Sequence, residues 1–150
     1  MLILRDIAFA DATALLARHD IALERVEDGA PIPGSYWGAP EAGLIGSTVY
    51  ARNDTPVHSL LHETAHLIVL PLERRAHVHT DATDSDIEED ASCYLQIVMA
   101  DGLPGVGRDR LMADMDAWGY SFRLGSTRAW FEGDAEDARQ WLIARQLLPE

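Results

Sequence analysis

Between Pro56 and Pro71 runs a segment that is apolar on nearly every side, and it constrains the fold more than any other part of the chain. Thr55-Pro56 offers an N-cap followed by proline at the first helical position, and Pro71 stops what Pro56 starts. The spacing therefore predicts a helix over Val57–Leu70. Leu60, Leu61, Ala65, Leu67, Ile68, Val69 and Leu70 leave it almost no polar face, so it must pass through the centre of a domain. Inside that apolar wall stands His62-Glu63-Thr64-Ala65-His66, an HExxH run. Histidines four apart lie one turn above each other on the same face, so both rings can reach one metal ion about 2.0–2.1 Å away. Glu63, next to the first histidine, can then serve a water at that metal as general base. Burying such groups unpaired costs about 1–3 kcal/mol each, and a metal removes that cost. The plain structural alternative makes His62 and His66 hydrogen-bonded core or surface histidines and Glu63 a solvated helix residue.

A catalytic zinc takes three protein ligands and keeps a fourth position for water, so HExxH alone is incomplete. The pattern HExxHxxGxxH fails, because Val69 and Leu72 stand where glycine and histidine are needed. A glutamate on a second, antiparallel helix is the next option, and Glu88, Glu89 and Asp90 open a helix expected over about Asp86–Ala100. Its apolar stripe is Ile87, Ala91, Tyr94, Leu95 and Val98, which Glu88 borders while Glu89 and Asp90 turn outward. Glu88 is therefore preferred and Glu89 is second. Against Glu88 as ligand, Ser85-Asp-Ile-Glu88 also fits a helix-capping box. His77 and His79, in the polar stretch 73–85, form a third possible completion, and His58 one turn before His62 can line a cleft or simply fill the core.

The remaining chain reads as a helix capped by Asp11 and running to about His19, a Gly/Pro-rich loop from Gly29 to Pro40, and a strand over Leu44–Ala51 leading into the HExxH helix. After the second helix come a third over about Asp109–Trp118, irregular chain from Gly119 to Phe131, and a last helix capped by Asp134. All 150 residues fit one domain. The net charge of −13, with 12 basic residues against 25 acidic ones, argues against a nucleic-acid surface. Cys93 is the only cysteine, and no signal peptide or membrane span is evident, which points to a cytoplasmic protein without disulfides. Trp37 and Trp130 are candidates for an interface or for covering a core.

The order strand, HExxH helix, loop and a helix beginning E-x-x-A resembles the ImmA/IrrE group of small bacterial gluzincin-like metallopeptidases. The family's E-x-x-A-N-x-F-A is matched by Glu88-Glu-Asp-Ala91-Ser92-Cys-Tyr94-Leu95, with Ser92 in place of asparagine and Leu95 in place of alanine. The match spans about residues 44–100. The resemblance implies an α+β, zincin-like fold, in which the HExxH helix packs on a second ligand-bearing helix and a small antiparallel sheet. It also implies a Zn2+ ion on His62, His66 and Glu88, with Glu63 as catalytic base, and a peptide or protein substrate that can add beside the strand at 47–51.

The expected reaction is hydrolysis of a peptide bond. Asp90, Asp84 or Ser92 are candidates to orient the ligand histidines, and Tyr120, Arg123 or Arg128 to bind the developing oxyanion. A different class remains open, a metal-binding interaction module without turnover, such as a regulatory partner of a transcription factor or a member of a toxin-like pair.

Overall fold

The computed structural model describes residues 1–35, 38–79 and 85–149. Its helices are α1 (Phe9–Ala17), α2 (Val57–Val69), α3 (Leu72–Arg75), α4 (Asp86–Met99), α5 (Gly107–Trp118), α6 (Thr127–Gly133) and α7 (Glu136–Ala144). The strands are β1 (Ala22–Arg25), β2 (Gly43–Ile45) and β3 (Thr48–Ala51), so the architecture is α+β.

The expected antiparallel sheet is in fact mixed. Its order is β1-β3-β2, with β1 parallel to β3 and β2 antiparallel to it. The segment read as a single strand over 44–51 is a hairpin folded at Gly46-Ser47, where Gly46 has φ +59. Positive φ at the first residue of a two-residue turn suits the right-handed twist of the paired strands. One consequence concerns substrate. β3 holds 48–51 and has a strand on each side, so a peptide cannot add there as the sequence suggested. The outer side of β2 is partly used as well, since Gly46 N–H donates to Val78 O at 2.9 Å and Ile45 bridges His79.

Leu44 and Val49 are fully buried, and β3 packs on α2. The central position expected for α2 is what the structure has: Leu60, Leu61, Ala65 and Leu67 are all inaccessible. Its start differs in one detail. Thr55 does not cap it, because the Thr55 hydroxyl accepts from Arg52 N–H instead, and Pro56 is the boundary residue. At the other end the buried Arg75 donates from Nε to Leu67 O at 2.8 Å and from Nη1 to His19 O at 2.7 Å. That guanidinium satisfies an end carbonyl of α2 and ties α1, α2 and α3 together. Ser59 adds a further tie, its hydroxyl accepting from Ala42 N–H at 3.0 Å.

α2 and α4 form the central helix pair, with α5 and α7 against α4. α1 begins at Phe9 rather than at a cap on Asp11. α5 ends on Gly119, whose φ of +113 is the left-handed stop that glycine permits. The stretch read as irregular from Gly119 to Phe131 contains most of α6, capped by Ser126, whose hydroxyl accepts from Ala129 N–H. Asp134 closes α6 and does not cap the last helix. Trp130 is buried against Tyr94 and Phe122 and so covers core, whereas Trp37 lies outside the described residues. Among the described residues no helix is long and apolar enough to cross a membrane.

Candidate metal centre

α2 presents His62 and His66 on the side that faces α4, and α4 answers with Glu89. His62 Nε2 and His66 Nε2 lie 2.9 Å apart, His62 Nε2 is 3.0 Å from Glu89 Oε1, and His66 Nε2 is 3.0 Å from Glu89 Oε2. Among the described residues this is the one group of three histidine, cysteine or carboxylate side chains placed to hold a metal ion. Donors bound to one tetrahedral zinc at 2.0–2.1 Å stand about 3.3 Å apart. The triangle is thus a few tenths of an ångström tighter than a zinc site of that kind. Both histidines are well shielded, while Glu89 keeps 45% of its side chain exposed and marks the open side.

Glu88 is not brought to the histidines, which corrects the preference for it over Glu89. Its backbone N–H donates to Ser85 Oγ at 3.3 Å, the Ser85 hydroxyl donates to Glu88 Oε2 at 2.9 Å, and Arg74 Nη1 lies 3.3 Å from Oε1. Glu88 is therefore engaged at the start of α4 in half of the capping box that the Ser85-x-x-Glu88 spacing had offered, its carboxylate meeting the Ser85 hydroxyl and not the Ser85 backbone. The face of α4 turned to His62 is set by Glu89, Cys93 and Gln96, spaced four and three residues apart. That face runs from the half-exposed Glu89 to the buried Cys93 and Gln96, and the apolar stripe from which the orientation was inferred is not that face.

Gln96 is fully buried and was not foreseen from sequence. Its side chain crosses from α4 to α2 and meets that helix twice: Nε2 donates to His58 O at 2.9 Å, and Oε1 lies 2.9 Å from His62 Nδ1. A backbone carbonyl only accepts, so the amide nitrogen must face His58, and the amide oxygen must then face His62. His62 consequently carries a proton on Nδ1. In the neutral ring this leaves Nε2 bare, aimed at a carboxylate oxygen 3.0 Å away. Two acceptors in that contact require a cation between them, either a metal ion or an added proton. The donor set therefore fits a divalent metal of the imidazole- and carboxylate-binding type.

In the metal-free protein the charge preferences favour the added proton. Burial works against the imidazolium of His62, but Tyr120, Cys93 and Glu89 beside it outweigh burial and raise its pKa well above the ordinary histidine value. Burial would raise the Glu89 carboxyl, yet hydrogen bonds from His62 and His66 hold it far below the usual carboxylate range. Glu63 is shifted the other way. Its burial pushes the carboxyl up, against the pull of His66 and His62. A carboxylate made more basic in this way is suited to accept a proton.

Around the triangle, Tyr120 Oη lies 3.2 Å from His58 Nδ1 and accepts from Gln96 Nε2 at 3.3 Å, and burial pushes the phenol up to about 12. His58 is buried, its Nε2 has no hydrogen-bond partner among the described residues, and burial lowers its pKa to about 4. Of the other candidates, Arg123 is paired with Asp134, and Arg128 with Asp109 and Glu132, all at the surface. Ser92 donates to Glu88 O within its own helix, and Asp90 makes no hydrogen bond to either ligand histidine. Asp84 lies outside the described residues. His77 and His79 are exposed and not part of the triangle, so they do not complete it.

Comparison with family models, with curated proteins and with solved structures yields no match for this chain.

Proposed function

We propose that the protein is a zinc-dependent peptidase of the gluzincin type, with His62, His66 and Glu89 as ligands and Glu63 as general base. One observation carries this reading. Three side chains from two helices converge on one point, and the tautomer that Gln96 imposes leaves a bare His62 nitrogen facing a carboxylate. The HExxH spacing and the raised basicity of Glu63 support it. A zinc ion held there supplies Lewis acidity and makes a water more acidic. The chain's own residues do the rest. Glu63 accepts the proton of the attacking water and delivers it to the nitrogen of the departing amine. With a metal bound, His62 and His66 would be neutral and fixed, and the exposed flank at Glu89 is the side from which a peptide would approach. The likeness to the ImmA/IrrE group accords with this reading in its helix order, but not in its choice of Glu88.

The test is hydrolysis of a fluorogenic peptide library by zinc-loaded wild type beside Glu63→Gln. Turnover in wild type that drops about 10²–10⁴-fold in Glu63→Gln, with zinc still bound, is the expected result. Equal rates in both would remove the proposed mechanism. Stoichiometric zinc with no turnover on any peptide would favour the interaction-module class, since a general base has no use in a site that only binds.

A further inference from the structure

The partner that a ligand histidine uses for its second nitrogen is commonly a carboxylate, which raises the basicity of the ring. Here it is an amide, and the surroundings explain why. On one side the group must accept from His62 Nδ1–H at 2.9 Å, and on the other it must donate to the His58 carbonyl at 2.9 Å. A carboxylate at position 96 would set oxygen against oxygen at His58, in a place with no access to solvent. Glutamine accepts at one end of its head group and donates at the other at any pH, whereas a glutamate of the same length could do so only when protonated. Cys93 and Tyr120 flank the same ring, Cys93 interacting with it through its thiol, and the 2.9 Å contact at Nδ1 is the one Gln96 makes.

We infer that Gln96 is a positioning residue: it locks His62 in the Nδ1–H tautomer through the His58 backbone and thereby sets how tightly the site holds its metal. The inference rests on the metal-site reading above. His58 and His62 sit one turn apart in α2, so Gln96 measures its position against the same helix that carries the ligand. Rotation of the imidazole is thus referred chiefly to α2 itself. Tyr120 gives a second, longer hold at 3.3 Å, and it is the weaker one. Because the amide is neutral, it orients His62 without adding a charge to the site.

The experiment compares zinc affinity by chelator competition, and the visible spectrum of the cobalt(II)-substituted protein, in wild type, Gln96→Met, Gln96→Glu and Tyr120→Phe. Thermal unfolding of the metal-free proteins is measured in parallel. Gln96→Met keeps the volume and loses all three hydrogen bonds, to His62, His58 and Tyr120, and it is expected to weaken zinc binding by roughly 10–100-fold with an altered cobalt spectrum. Tyr120→Phe is expected to weaken it only a few-fold, by roughly the share of one long hydrogen bond. Gln96→Glu is expected to bind more weakly than wild type, the reverse of what a carboxylate partner usually brings. Wild-type affinity and spectrum in Gln96→Met, whatever its melting temperature, would reduce Gln96 to a packing role and overturn the inference, as would tighter binding in Gln96→Glu. Absence of zinc in wild type would overturn the metal-site reading itself, and with it this one, which is a distinguishable result.

Discussion

At the residue scale the site depends on groups whose charge state is set by burial. His58 is 1% exposed and held neutral, with its pKa lowered to about 4 by desolvation, the like charge of His62 adding to this and Asp114 opposing it. An unfolded chain binds a proton at this histidine near pH 6.5 and the folded one does not. Stability therefore rises with pH across the window from about 4 to 6.5, and falls as pH is lowered through it. The gap corresponds to about 3 kcal/mol in full. Denaturant unfolding of the metal-free protein at pH 7 and pH 4.5 is expected to show a steeper loss in wild type than in His58→Gln. Equal slopes would mean that His58 is not buried neutral. How far residues were legible follows from the same physics. His62, Glu63 and His66 could be read because the HExxH spacing is local and short. The carboxylate that lies beside the two histidines is one position further on than the one preferred, since the facing side of α4 was inferred from its apolar stripe, while the side that meets His62 carries Glu89, Cys93 and Gln96. A buried glutamine one helical turn past the only cysteine was the available signal.

At the element scale, the ends of α4 and α2 are where the ligands gain their rigidity. Ser85 caps α4 through Glu88 N–H and also engages the Glu88 carboxylate, so the first turn that carries Glu89 is fixed at its start. Ser85→Ala is expected to cost about 0.5–2 kcal/mol of stability, measured by denaturant titration, while leaving bound zinc unchanged. Loss of metal with no loss of stability would indicate that Glu88 serves the metal and not the cap. α2 and α4 were legible to within a residue or so at their ends, because proline and serine punctuate them and their lengths give periodicity time to show. β1 and α6 were not. Four and seven residues are too few to establish a period, and the parallel pairing of β1 with β3 is a long-range event that no local pattern announces. The hairpin at Gly46 was read as continuous strand because both of its arms are β-rich and the turn is only two residues long.

At the scale of the whole molecule, a domain carrying −13 gathers further acidic groups near its centre, with Glu41, Glu63 and Glu89 all within electrostatic reach of His62. Such a centre favours a cation, and a cation that binds the folded chain but not the unfolded one must stabilise it by mass action. Excess zinc is expected to raise the melting temperature of wild type and Glu88→Ala, and not that of Glu89→Ala. A uniform rise in all three would point to nonspecific binding by surface carboxylates. The most direct test of the central claim is metal content per chain, by inductively coupled plasma mass spectrometry, on wild type, His62→Ala, Glu88→Ala and Glu89→Ala. The geometry predicts close to one zinc in wild type and in Glu88→Ala, and little in His62→Ala and Glu89→Ala. A metal-free wild type after zinc loading, or zinc lost from Glu88→Ala and kept by Glu89→Ala, would contradict it.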